Sequence, residues 1–179
     1  MRQIPCYRGR RDIRTIFELN MKIIGIANDH AGYELKLKIV GYLQQKGYTV
    51  RNFGTDSFDA VDYPDYAHPL ANAVEQGECE LGISICKTGN GINMTVNKHA
   101  GIRGALCWCP EISHLARAHN DANICSLPAR FLTEETAYCI VDEFLNTTFE
   151  GGRHQSRIEK IKAPLNPPRW GEASPSGGD

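Results

Sequence analysis

Short apolar runs alternate with longer amphipathic stretches from Met21 to about Lys162, and this alternation limits the chain to few architectures. Met21 to Ala27 reads as a first strand. A helix follows to about Lys46, with Leu35, Ile39 and Leu43 on one face and Gly47 as its stop. Tyr48 to Asn52 is a second strand. Asp62-Tyr63-Pro64 leads into a helix carrying Ala67, Leu70, Ala71 and Val74. Pro69 implies that this helix starts late or kinks. Leu81 to Cys86 is the central strand, and a helix opens around Ile92 and ends at Gly101. Ile102 to Trp108 is a fourth strand, and Pro110 starts a helix that ends at Ala118 to Asp121. Ala122 to Ser126 is a fifth strand. Thr133 caps a helix with Ala137, Ile140, Val141, Phe144 and Leu145 on one stripe, and a short basic helix covers Arg153 to about Lys162.

None of the strands shows the polar-faced alternation of a hairpin protein. The pattern therefore predicts a three-layer α/β/α, Rossmann-like domain with a five-stranded parallel sheet between helices. Residues 21–162 form that domain. Residues 1–20, which carry Arg2, Arg8, Arg10, Arg11 and Arg14 without an apolar period, and the Pro-, Gly- and Ser-rich residues 163–179 read as disordered extensions.

In such sheets ligands sit at the carboxyl ends of the strands. Cys86 falls where the central strand ends, and Lys87-Thr88-Gly89-Asn90-Gly91 follows as a turn that exposes backbone amides. An isolated Cys is commonly a core thiol, but this placement suits a reactive thiolate. The common loops fail here. Lys87 stands where a GxxxxGK[ST] motif needs Gly, Ala27-Asn28-Asp29 replaces GxGxxG, and Ile92 stands where a C-x5-R phosphatase needs Arg. Asp29-His30 follows the first strand and His119-Asn120 precedes the fifth. Both are expected beside Cys86, and either histidine could be structural or a proton carrier. Arg153 and Arg157 share a helical face, which is either a solvated basic surface or, with Arg130, a phosphate clamp.

A net charge of -1 gives no reason to expect nucleic acid or an anionic membrane as partner, and no apolar run reaches spanning length. The seven cysteines, without a secretory signal before them, read as reduced thiols of a cytoplasmic protein. Cys107-Trp108-Cys109 has the wrong spacing for a zinc knuckle, so no metal is expected.

Asn28 to Gly32, Asp62-Tyr63-Pro64, Cys86 to Gly91, Asn97-Lys98, Gly101-Ile102-Arg103, His119-Asn120-Asp121 and Glu150 to His154 with Arg157 occur in an order that resembles the type B ribose-5-phosphate isomerases. The wider family includes the galactose-6-phosphate isomerase subunits. The resemblance covers about Met21 to Ile161. It implies an aldose–ketose isomerase without cofactor or metal, acting on a small-molecule sugar phosphate and interconverting ribose 5-phosphate and ribulose 5-phosphate. By the same resemblance Cys86 is the base, Thr88 supports the thiol by hydrogen bonding, and the amides of Lys87, Thr88, Gly89, Asn90 and Gly91 hold the enediolate. His119 opens the sugar ring, with Asp29 near the ring oxygens. His30, Arg130, Arg153 and Arg157 take the phosphate, and Tyr63 and Asn120 line the sugar site. The resemblance also implies a homodimer, or a dimer of dimers, with active sites shared between subunits.

Two positions depart from that pattern: Lys87 stands where the family loop commonly has Gly, and Ile92 where one branch carries a Glu base. Two other readings remain open at this stage. One is an isomerase of a hexose 6-phosphate such as allose or galactose 6-phosphate. The other is a non-catalytic sugar-phosphate-binding regulatory domain.

Overall fold

The computed structural model describes residues 22–161; both expected extensions lie outside that range. Five strands form one sheet: β1 (Ile23–Asn28), β2 (Thr49–Asn52), β3 (Leu81–Cys86), β4 (Gly104–Leu106) and β5 (Ile124–Pro128). All pairings are parallel, in the order β2-β1-β3-β5-β4. Six α-helices accompany them among the described residues: α1 (Tyr33–Gln45), α2 (Pro64–Glu75), α3 (Asn90–Val96), α4 (Pro110–Asn120), α5 (Glu134–Asn146) and α6 (Gln155–Ile161).

The helices divide between the two faces because β3 is apolar on both sides. Leu81, Ile83 and Ile85 point into one core with Leu35, Ile39 and Leu43 of α1, Ala116 of α4 and Ile140 and Phe144 of α5. Cys86 points into the other, with Leu70 and Val74 of α2 and Ile92 and Val96 of α3. All six residues of β3 are buried, as a parallel strand covered on both faces must be. Gly82 keeps the second layer close, since a Cβ there would stand 3.0 Å from Ile124 Cγ1 and 3.2 Å from Val74 Cγ2.

The chain leaves β1 through α1 toward β2 and leaves β3 through α3 toward β4, in opposite directions and on opposite faces. The carboxyl ends of β1 and β3 therefore flank the point where the winding reverses, and a crevice opens there in doubly wound sheets. The Asp29 amide closes its floor by donating to Ile85 O at 3.2 Å.

Two expectations need correction. Helix α2 does not start late: it begins at Pro64, with Pro69 in its second turn on the exposed side. Proline suits the first helical position, and at position 69 it forfeits the bond to the Asp65 carbonyl. Strand β4 is three residues long, Gly104–Leu106, and its pairing with β5 ends at the Cys107 amide, which donates to Ser126 O at 2.9 Å. Among the described residues Cys79, Cys86, Cys107, Cys109 and Cys125 are free thiols.

Two polar features join the layers. Ser84 Oγ and Ser126 Oγ lie 2.7 Å apart, and Ser126 Oγ donates to Asn93 Oδ1 at 3.0 Å. Asn97 continues the chain by accepting from Gly104 N and donating to Gly104 O, both at 2.9 Å. Lys36 is buried on α1, where its ammonium donates to Thr55 O at 2.8 Å and pairs with Asp56. The ammonium in turn holds the exposed Asp56 carboxyl below its ordinary range.

Candidate active site

The carboxyl edge carries the thiol. Cys86 is 4% exposed and ends β3, and the Gly89 amide donates to its Sγ at 3.1 Å. Gly89 makes this possible with φ of 73°, the left-handed region. Its pro-Cβ position is also occupied, since a methyl there would come within 2.3 Å of Leu106 Cδ1. The turn is tied to β5 through the Arg130 amide, which donates to Lys87 O at 3.1 Å and sets Arg130 beside the loop. The side chains of Lys87, Thr88 and Asn90 are exposed, so the backbone of the turn, rather than its side chains, closes on the thiol. Thr88 differs from expectation. Its Oγ1 accepts from Asn90 N at 3.4 Å, and no bond between it and the thiol is present.

Asp29 and His30 enter from β1. The Asp29 carboxylate accepts from Gly32 N at 3.0 Å and caps a short 3-10 turn. Burial pushes its carboxyl above the ordinary value, although that amide and the neighbouring His30 pull the other way. The Val61 amide donates to His30 Nδ1 at 3.2 Å. An acceptor Nδ1 puts the imidazole proton of neutral His30 on Nε2, where it is available as a donor. Tyr63 heads α2 and lies across Gly91, where a Cβ would meet its Cζ at 2.5 Å.

His119, Asn120, Arg153 and Arg157 lie elsewhere, which corrects the expectation that His119-Asn120 sits beside Cys86. Helix α4 runs antiparallel to the strands, so its last turn reaches the amino edge of the sheet. Asn123 N donates to Arg103 O at 3.0 Å, and its carbonyl accepts from Gly82 N at 2.9 Å, which places this region at the start of β3. Four residues of strand, about 13 Å, separate Gly82 from Cys86. The signal was available in the sequence, since a residue that ends a helix just before a parallel strand belongs to the amino edge.

The amino-edge cluster is compact. His119 and His154 stack with centroids 4.2 Å apart and planes 6° from parallel. The Glu150 amide donates to Ala118 O at 2.9 Å and binds the α6 segment to α4. His154 is buried, and its pKa lies below the ordinary imidazole value because of burial, with His119, Arg153 and Arg157 adding positive charge. Arg153 and Arg157 are exposed on the outer side of this segment. Arg103 braces the corner: its Nε donates to Asn120 O and Asp121 O, and it forms an ion pair with Asp121 at 2.7 Å. Arg117 joins Asp121 at 3.0 Å. Sequence reading missed this brace, although the left-handed Asp121 that ends α4 depends on it.

One chain thus presents two incomplete polar surfaces at opposite ends of its sheet. One holds a thiol and directed amides, the other imidazoles and guanidinium groups. A doubly wound sheet with a thiol at its switch point defines a small-molecule α/β enzyme. The chain belongs to the ribose/galactose isomerase family, which it matches over residues 24–161. It is 46% identical over 143 residues to ribose-5-phosphate isomerase B of Escherichia coli, covering 80% of this chain and 96% of that protein. The structure of a ribose-5-phosphate isomerase B from Thermotoga maritima superposes with a TM-score of 0.78 at 48% identity, covering 79% of this chain and 97% of that one. The Mycoplasma genitalium enzyme, solved with bound ribulose-5-phosphate, gives 0.76 at 44% identity, covering 78% and 93%. Among the described residues no helix is long and apolar enough to cross a membrane.

Proposed function

We propose that the chain is an aldose–ketose isomerase that interconverts ribose 5-phosphate and ribulose 5-phosphate. The carrying observation is the Cys86 thiol, held at the sheet's switch point with the Gly89 amide directed at its sulfur. The names of the relatives and the ribulose 5-phosphate bound to one of them support the same substrate pair.

The reaction needs a base that removes the C2 proton of the open-chain aldose and returns it to C1. In this reading the Cys86 thiolate takes that proton. Negative charge then develops on the enediolate oxygens, and the amides of Lys87 to Gly91 receive it. Thr88 completes the loop beside the thiol. Lys87 contributes through its backbone while its side chain stays in solvent.

The ring must open before C2 can react, and His119 moves the proton that opening requires, from the anomeric hydroxyl to the ring oxygen as its bond to C1 breaks. Asp29 faces the ring oxygens, Tyr63 and Asn120 line the sugar, and His30, Arg130, Arg153 and Arg157 hold the phosphate. His119 and Cys86 stand at opposite edges of their own sheet, so both can act on one substrate only when two copies face each other. We therefore infer a homodimer in which the carboxyl edge of one chain meets the amino edge of its partner. Exposed Phe58, Trp108 and Phe131, which follow β2, β4 and β5, supply apolar surface on the carboxyl edge for that contact. No step uses a cofactor or metal, and the cytoplasm is the compartment consistent with a sugar-phosphate substrate.

The test is exchange of the C2 hydrogen of ribose 5-phosphate with solvent deuterium. Wild-type protein should exchange it and accumulate ribulose 5-phosphate. Cys86→Ala should do neither while still binding the sugar phosphate. Retained turnover in that variant removes Cys86 from the mechanism. Exchange with allose or galactose 6-phosphate at a higher kcat/KM than with ribose 5-phosphate would transfer the activity to hexoses.

A further inference from the structure

Helix α1 buries Leu35, Lys36, Ile39 and Leu43, so a charged side chain stands in a row of aliphatic ones. Lys36 is 1% exposed. An apolar side chain of similar volume would fill the same space without taking an ammonium out of water. Packing therefore does not account for the charge, and the groups that the ammonium holds must.

Those groups belong to the loop between β2 and α2. Lys36 Nζ donates to Thr55 O at 2.8 Å and pairs with the Asp56 carboxylate. The same carbonyl accepts from Asn28 Nδ2 at 3.2 Å, and Asn28 Nδ2 also donates to Asp29 O at 2.9 Å. Thr55 N returns a bond to Asn28 O at 3.3 Å. The start of the loop is thus fastened to the end of β1, next to Asp29 and His30. From there the loop advances in steps of two residues. Thr55 Oγ1 accepts from Ser57 N at 3.2 Å, and Ser57 Oγ accepts from Asp59 N at 3.0 Å. Two residues further on, Val61 N donates to His30 Nδ1 at 3.2 Å. Tyr33 adds a second tie. Its ring lies 4.9 Å from the ammonium and meets Phe58, in the middle of the loop, edge-on at 4.8 Å. The path that begins at the buried ammonium therefore ends at the imidazole.

We propose that Lys36 is a positioning residue for His30. Through Thr55 and the loop to Val61 it fixes the Nδ1 side of the imidazole, and so directs the Nε2 proton toward the phosphate of the substrate. Lys36 acts through the loop and not by contact with the substrate. Its effect on the reaction rests on the isomerase reading and on the phosphate role of His30, whereas its hold on the loop is independent of both.

The test uses the full-length chain with Lys36→Met, which keeps an unbranched stem and removes the ammonium. Backbone amide exchange is followed by nuclear magnetic resonance. The Val61 amide should exchange roughly tenfold faster or more, with Ser57 and Asp59 following it, while the amides of β3 and β5 keep their wild-type rates. Ser57→Ala cuts the path in the loop with the core intact and should quicken Val61 in the same way. A wild-type Val61 rate in either variant overturns the proposal. A Lys36→Met chain that does not fold overturns it too, since the ammonium would then serve the fold. With ribose 5-phosphate, Lys36→Met should raise KM roughly tenfold and leave kcat within about twofold, as for a lost hydrogen bond to a charged group. Added to His30→Ala it should raise KM no further, whereas a merely structural role would add its own loss. An equal rise in KM with and without His30 overturns the positioning role. A wild-type chain without turnover overturns the isomerase reading instead, and the exchange rates then decide the role of Lys36.

Discussion

Asp29 is the residue whose physical state and proposed task conflict most directly. Its carboxyl is partly withdrawn from water at the end of β1, and burial raises its pKa despite the Gly32 amide and His30. A carboxyl whose folded pKa is raised contributes most to stability below its unfolded value near 3.8. That contribution is lost as pH rises through the folded value. At neutral pH the ionised form is therefore a cost retained for function. Asp29→Asn keeps an oxygen for the Gly32 amide and removes the charge. Urea midpoints should show the variant at least as stable as wild type at neutral pH, with the advantage disappearing near pH 3. Isomerisation should fall. A variant markedly less stable at neutral pH would mean that the carboxylate serves the fold. The positions of Asp29 and Cys86 at strand ends were legible in the sequence, because strand ends follow from apolar runs. The bond from Val61 to His30 and the turning of Thr88 toward Asn90 were not, because each depends on how a loop settles after the strands have packed.

At the scale of the element, the loop between β3 and α3 depends on one backbone conformation. Gly89 has φ of 73°, donates to the Cys86 sulfur, and leaves no room for a methyl group beside Leu106 Cδ1 or, at 3.2 Å, the backbone of Leu127 and Pro128. Gly89→Ala should cost about 1–2 kcal/mol for the left-handed backbone alone, and the contact with Leu106 adds to it. The loop must move away from β4 and β5 to accommodate it, which takes the amide off the sulfur. The expected result is a lowered urea midpoint together with a loss of kcat larger than any rise in KM. A fall in stability with kcat intact would show that the Gly89 amide is dispensable to the chemistry. The glycines of this loop stood out in the sequence. What they fit against did not, since Leu106 faces Gly89 only because β5 inserts between β3 and β4. Strand order in a parallel sheet is set by crossover handedness and by which helix covers which face, and five apolar runs in series do not state it. The same gap explains the misplacement of His119. Its helix was read correctly to Asn120, but the end was assigned by proximity to a strand rather than by the direction in which a covering helix runs.

The whole molecule carries its two polar edges apart, and this separation makes the inferred assembly open to a decisive measurement. A monomer with the described fold cannot bring His119 to Cys86 without dismantling the sheet between them, because Gly82 and Cys86 are fixed in register with Ile124 and Pro128. Two chains facing each other create two sites, each with the thiol of one chain and the imidazole of the other. Cys86→Ala and His119→Ala homodimers should each be inactive, the first for want of a base and the second for want of ring opening. A mixed dimer holds one site lacking both groups and one site with both intact. Equal amounts of the two variants, unfolded together and refolded, should therefore recover roughly a quarter of wild-type activity. That figure follows if chains pair at random and half of the dimers are mixed. Each variant refolded alone should recover none. An inactive mixture, with mixed dimers demonstrated by differential tagging, would mean that each site draws on one chain, against the geometry of the sheet. Supplying the open-chain sugar separates the two lesions further. His119→Ala should then regain exchange as the open form is provided, whereas Cys86→Ala should not.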